Sequence, residues 1–310
     1  MMHRGDVMSD FELRRSVFAV PASSEKMIEK ALNFKVDQLF LDLEDAVAPD
    51  MKIQARQRIS TLSGDNFSAP IISIRINAID TPWLHKDIEL LKSGVGSWID
   101  SIILPKVNTA QEIIDFSQRL AEIEQTVGRK QGSIAIDVQI ESAKGLVNCE
   151  EIATCERVTS LNFGPVDFMA DLGAPSESAT AHEYALMKVL VAARAAGIFA
   201  LDGPTLEVRN ISKFEDSAHI AVSMGFDGKW VIHPDQIDSC HRIFTPSQER
   251  FDEAACLLEV YEHATSLEGG AKGAAIYKGA MIDEASRKMA MAVVGRGRAS
   301  GLEQIKRFTP

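Results

Sequence analysis

Residues 134–143 read Ile134-Ala135-Ile136-Asp137-Val138-Gln139-Ile140-Glu141-Ser142-Ala143, a strongly apolar run that closes on a carboxylate. Such a run, rich in β-branched residues, is a strand signal. Four runs of the same kind precede it, at residues 17–20, 38–41, 71–74 and 101–104, and three follow, at 158–162, 198–201 and 229–232. Between them, segments such as 25–33, 110–124 and 182–196 carry apolar residues at spacings of three and four, which marks amphipathic helices. Strands that alternate with helices pair in parallel.

An open, doubly wound sheet gives the same alternation, so the strand ends have to decide. At or just past the eight runs stand Pro21, Glu44 with Asp45, Arg75, Lys106, Glu141, Asp167, Asp202 and His233. Polar groups at nearly every strand end converge at one mouth in a closed barrel, whereas an open sheet concentrates function at a switch point. The predicted fold is therefore an α/β TIM (β/α)8 barrel over residues 1–246. The chain then continues beyond what a barrel needs. Pro246 and Ser247 open a helix toward Leu267, a Gly-rich stretch (268–279) reads as a hinge or tightly turned loop, and helical spacing returns over 281–294. Residues 247–310 are thus expected to form a C-terminal helical lobe able to cover a barrel mouth.

With 44 acidic and 33 basic residues the chain carries a net charge of -11, which opposes binding to nucleic acid. No apolar run approaches the length of a membrane span. The stretch Met1–Asp10 lacks the apolar centre of a secretory signal, so a cytoplasmic location is expected. The four cysteines, Cys149, Cys155, Cys240 and Cys256, form no C-x-x-C pair and suggest neither a disulfide framework nor a thiolate metal site.

Leu41-Asp42-Leu43-Glu44-Asp45 places three carboxylates within four residues. Their repulsion is relieved if a divalent cation or its bound waters lie nearby, although acidic residues at a helix start would explain them equally. Glu141 and Asp167 fall after consecutive strands, so they would stand on adjacent loops and could share one Mg²⁺, with Mn²⁺ as an alternative. Asp171 is the rival ligand in the same loop, and helix capping is the plain alternative for either carboxylate. Arg75 sits in an apolar strand, where an unpaired guanidinium is costly; it calls for an anion, either a substrate carboxylate or enolate, or else Glu44 or Asp45. Lys106 could act similarly or anchor a loop carboxylate. The chain has no G-x-S-x-G elbow, P-loop, H-E-x-x-H helix or Rossmann fingerprint.

Taken in order, Arg15-Ser16 with Val20-Pro21, Leu41-Asp42-Leu43-Glu44-Asp45-Ala46-Val47, Arg75-Ile76-Asn77, Leu104-Pro105-Lys106, Ile140-Glu141-Ser142-Ala143, Asp167-Phe168, Asp171-Leu172-Gly173, Asp202-Gly203-Pro204 and Gly225 through Pro234 form a series. That series resembles the HpcH/HpaI aldolase / citrate lyase β subunit-like family, which includes malyl-CoA lyase and citramalyl-CoA lyase. The resemblance implies a barrel lyase that splits a β-hydroxyacyl-CoA into an acyl-CoA and an α-keto acid, with Mg²⁺ on Glu141 and Asp167. It also implies that Arg75 contacts keto acid and thioester oxygen and that Glu44 and Asp45 hold metal-bound waters. Lys30, Lys106, Val166, Ile232 and His233 are then counted with the substrate- and CoA-binding residues.

In such enzymes the C-terminal lobe of a neighbouring subunit covers the mouth and delivers an aspartate as general acid/base. Here that is Asp283, which implies a homotrimer or hexamer; its plain alternative is a helix N-cap. The chain departs from malyl-CoA lyases at Pro21-Ala22-Ser23-Ser24-Glu25, where Ser24 replaces a basic residue that helps hold CoA phosphates. Its short loop between Gly173 and His182 leans toward citrate lyase β or citramalyl-type members. A citryl thioester lyase subunit and a CoA-independent keto-acid aldolase are the alternative functions.

Overall fold

A computed structural model of the protein describes residues 11–175 and 178–308. The stretch Met1–Asp10 and part of the loop between Gly173 and His182 lie outside them.

All eight expected strands form: β1 (Ser16–Pro21), β2 (Gln38–Asp42), β3 (Ile72–Arg75), β4 (Ser101–Leu104), β5 (Ala135–Ile140), β6 (Val158–Phe163), β7 (Phe199–Asp202) and β8 (Gly228–Val231). They pair in parallel in sequence order and β8 closes on β1, with Val17 opposite Trp230. The helices are α1 (Glu25–Ala31), α2 (Lys52–Ser60), α3 (Leu84–Lys92), α4 (Ala110–Thr126), α5 (Ala143–Val147), α6 (Cys149–Ala153), α7 (Pro165–Leu172), α8 (Ala179–Ala196), α9 (Ile211–Met224), α10 (Ile237–Phe244), α11 (Gln248–Thr265) and α12 (Glu284–Ala299). Several start where the sequence supplies a cap. Thr109 and Glu112 form a capping box on α4, Ser142 caps α5, and Ser247 caps α11. No helix among the described residues is long and apolar enough to cross a membrane.

Two compact units result, one of residues 14–241 and one containing the described part of 1–13 and 242–310. The first is the barrel. Its interior is filled in layers, as such barrels are. A middle layer of Val17, Phe40, Ile103, Phe199, Leu201 and Trp230 is buried throughout. Beneath it, near the strand starts, lies a polar floor centred on Asp137, which accepts from Gln38, Ser101, Ser160 and Thr159 at 2.6–3.0 Å and lies 3.5 Å from Arg14. Gln38, Ser101, Asp137 and Ser160 sit inside apolar runs, and closure of the barrel buries them together.

In the second unit α11 and α12 pack together through Phe251, Ala254, Ala255, Ala290 and Val294. The Gly-rich stretch is more ordered than expected. It contains β9 (Ala275–Tyr277), which pairs antiparallel with β10 (Ala280–Ile282). Lys278 and Gly279, both at positive φ (47° and 81°), make the tight turn that favours a two-residue hairpin. Met281, read as helical from its spacing, is therefore a strand residue, and the helix begins only at Glu284. All four cysteines are free.

Candidate active site at the barrel mouth

The ends of β2, β3 and β5 bring Asp42, Glu44, Arg75, Gln139 and Glu141 together. On β2 the period of two turns Phe40 and Asp42 inward, and the chain just past the strand adds Glu44. Asp42 grips Arg75 from the side, accepting from Nε at 2.8 Å and from Nη2 at 2.6 Å. Its two oxygens also accept from the Glu44 and Ala46 amides, so one carboxylate orders both the guanidinium and the acidic turn. The other edge of Arg75 faces Glu44 at 3.2 Å and Gln139 at 3.4 Å. Burial alone would lower the Arg75 pKa, but Asp42, then Glu44 and Glu141, raise it instead. The guanidinium stays charged, and one Nη2 N–H has no acceptor among the described residues.

By its place in an apolar strand Arg75 calls for a substrate anion, Glu44 or Asp45. Asp42, although quoted in the same motif, is its principal partner.

Glu141 occupies the end of β5 and is buried. One oxygen accepts from the Lys106 amide at 2.6 Å and the other from Gln139 Nε2 at 2.7 Å. Lys106 can make that contact because its backbone is left-handed, φ 55°, a costly conformation for a residue with a Cβ and one that tends to mark functional sites. Its amine reaches Glu44 at 2.6 Å and Asp45 at 3.1 Å. Burial would lower the amine's pKa, yet these two carboxylates raise it. Gly164 packs so close that a Cβ there would lie 2.5 Å from Glu141 Cβ.

Burial pushes Glu141 up to about 8, the charges of Glu44 and Asp167 push the same way, and Arg75 offsets them only in part. Glu44 is likewise raised, chiefly by burial against the opposing pull of Arg75. The mouth thus holds more negative charge than its own cations neutralise, which is the donor chemistry that suits a hard divalent cation. Glu141 and Asp167 could hold one. Among the described residues no three His, Cys, Asp or Glu side chains converge to hold a metal unaided, so water and substrate would complete its shell. Asp171, the rival, is engaged elsewhere: its carboxylate accepts from the Ala143 amide at 2.7 Å.

A second network braces the acidic turn from behind. The buried Lys52 amine donates to the carbonyls of Leu43 and Glu44 and to Asn77 Oδ1, Asn77 donates to Asp87, and Asp87 also takes Arg56. Lys52 was not foreseen, although its place on the first turn of a helix after the acidic motif was a usable signal.

The remaining candidates are spread more widely. Val166 is exposed and Asp167 half-buried on the first turn of α7. The Ile232 amide donates to Gln236, and His233 caps the turn after β8 by accepting from the Asp235 amide. Lys30 lies exposed in the last turn of α1, and Ser24 caps that helix. Asp283 belongs to the other compact unit, where it caps α12 and accepts from the Ser286 amide at 3.1 Å. Those bonds hold its carboxyl below the usual range.

Residues 15–234 match the pattern of the HpcH/HpaI aldolase/citrate lyase family. The chain belongs to that family. It is 32% identical over 294 residues to an L-malyl-CoA/beta-methylmalyl-CoA lyase of Cereibacter sphaeroides, covering 88% of this chain and 91% of the relative. It is 33% identical to the citrate lyase subunit beta of Escherichia coli K12, covering 94% and 95%. Among solved structures it resembles protein CitE from Mycobacterium tuberculosis in complex with magnesium, acetoacetate and coenzyme A, at 25% identity and a TM-score of 0.71 over 91% of this chain and 97% of that one. A citrate lyase from Burkholderia xenovorans shares the fold at 22% identity and a TM-score of 0.81, covering 97% of this chain and 95% of that one. Family membership makes the chain an enzyme of the carbon–carbon lyase type.

Proposed function

We propose that this family member cleaves, or in reverse condenses, a β-hydroxyacyl-CoA such as malyl-CoA, β-methylmalyl-CoA or citramalyl-CoA, giving an acyl-CoA and an α-keto acid with the help of Mg²⁺. The observation that carries the reading is one buried guanidinium, braced on one edge by Asp42, facing the same mouth as the charge-rich Glu141. The malyl-CoA lyase and the magnesium-bound CitE complex among its relatives support it.

Held by Glu141 and Asp167, Mg²⁺ would supply a Lewis acid for substrate oxygens. The chain's own residues do the rest. Asp42 keeps Arg75 charged and oriented, so its spare N–H can stabilise the negative oxygen that develops as the Cα–Cβ bond breaks, usually the largest contribution to such catalysis. Lys106, Glu44 and Asp45 form a salt-linked rim in which the two carboxylates would hold waters on the metal and Lys106 the substrate carboxylate. Lys30, Val166, Ile232 and His233 would bind the substrate and its CoA. Asp283, delivered by the C-terminal unit of a neighbouring copy in a homotrimer or hexamer, exchanges the proton at the enolate carbon.

A citryl thioester is the second substrate to weigh, because the citrate lyase subunit beta covers the chain as fully as the malyl-CoA lyase does. Incubating the purified protein with malyl-, β-methylmalyl-, citramalyl- and citryl-CoA plus Mg²⁺, and scoring keto acid release, tests both. Release from the first three supports the proposal. Cleavage of citryl-CoA alone favours the second reading, and no keto acid from any of the four overturns both.

A further inference from the structure

Beneath Arg75 lies an aromatic plate. The rings of Trp230 on β8 and Phe40 on β2 meet with centroids 4.7 Å apart and an interplanar angle of 53°. The Arg75 guanidinium carbon sits 5.4 Å from the Trp230 ring and 5.8 Å from that of Phe40. Asp42 holds the guanidinium by two parallel hydrogen bonds along one edge. That grip fixes one edge, Glu44 and Gln139 face Nη1 on the other at 3.2 and 3.4 Å, and the flat π surfaces of the two rings beneath limit the tilt that remains. An indole is the strongest such surface among side chains.

The plate is itself locked. The indole N–H of Trp230 donates to Asn162 Oδ1 at 2.7 Å. Asn162 cannot turn its amide round, because its Nδ2 donates to Ser160 Oγ at 2.9 Å and to the Val138 carbonyl at 3.3 Å. Ser160 in turn donates to Asp137 in the floor at 2.6 Å. A continuous hydrogen-bonded line thus runs from the floor to the ring on which Arg75 lies.

We infer that Trp230, oriented by Asn162, is a positioning residue that sets the plane of the Arg75 guanidinium. This rests on the reading that Arg75 receives the developing negative charge. Trp230 acts through the direction of the one unused Arg75 N–H. Small misdirections of a charge-stabilising donor cost rate more than binding.

Two variants separate the parts of the device. Trp230→Phe keeps a ring without the N–H, and Asn162→Leu keeps the indole without its acceptor. Each is expected to lose about 10- to 100-fold in kcat with a small change in KM. Magnesium affinity, measured by calorimetry on the same samples, is expected to change far less than kcat, since Glu141 and Asp167 are untouched. Adding pyruvate or glyoxylate with Mg²⁺ is expected to change the tryptophan fluorescence of the wild type more than that of Trp230→Phe, because Trp230 lies against Arg75, whereas Trp83 lies against Lys52 and Trp98 against Phe67. If either variant fails to fold, the other decides. Wild-type kcat in a folded variant, with the fluorescence response unaltered in Asn162→Leu, overturns the inference. Full turnover by Arg75→Ala overturns instead the reading of Arg75 on which it stands.

Discussion

Asp137 and Glu141 stand on one strand or at its end, both buried and both turned into the barrel, yet they are opposites. Burial raises the pKa of each. At Asp137 it is outweighed by Arg14 and by hydrogen bonds from Ser101, Ser160 and Gln38, so that carboxyl is lowered. At Glu141 the neighbouring charges of Glu44 and Asp167 add to burial, and the value reaches about 8. A carboxylate surrounded by donors holds a structure together. One surrounded by carboxylates stores unfavourable charge that a ligand can relieve.

The largest effect is expected from Glu141→Gln, which should abolish metal-dependent keto acid release. Stability at pH 8 should shift by only about 1 kcal/mol, the scale of one exchanged hydrogen bond; full turnover would break the contrast. Asp137→Ala should do the reverse, costing about 3–5 kcal/mol by removing the anion beside Arg14 and leaving Ser101 and Ser160 without their acceptor, while the magnesium affinity of the folded fraction stays unchanged. Chemical denaturation and calorimetry on both variants read the two outcomes side by side. Gly164→Ala is expected to cost about 1–3 kcal/mol through overpacking and to weaken magnesium binding, because the new methyl group would displace Glu141.

The subtlest effect is on pH. Glu141 binds its proton more tightly folded than unfolded, since about 8 lies above its ordinary 4.5. Its contribution to stability is therefore full below pH 4.5 and is lost as pH rises toward 8. Magnesium competes with that proton, so the rise in melting temperature on adding Mg²⁺ should grow from pH 5 to pH 8 in the wild type. In Glu141→Gln it should stay flat; a flat wild-type response would sink the assignment of Glu141 as a ligand.

The barrel was legible because β-branched runs and strand-end polar residues are local signals, and all eight runs became strands. The floor was not. Gln38, Ser73, Ser101, Asp137 and Ser160 are scattered singly over five apolar runs, and only closure of the sheet brings them into one network. At the mouth, Arg75, Glu44, Lys106 and Glu141 were read from their positions, with Glu44 or Asp45 as a partner for Arg75 and a loop carboxylate for Lys106, but Asp42 as the principal partner of Arg75 was not. Asp42 outcompetes Glu44 and Asp45 for Arg75 because strand alternation points it inward level with Arg75, its register partner. The β9–β10 hairpin escaped notice because its strands are three residues each and its turn lies in a glycine-rich stretch.

The buried middle layer of Phe40, Trp230, Phe199 and Leu201, with the polar floor beneath, leaves the barrel solid below Arg75. A molecule that reaches the guanidinium must enter and depart by a single doorway. Under the proposed reaction both fragments would leave, and both reactants of the condensing direction would enter, through that one opening.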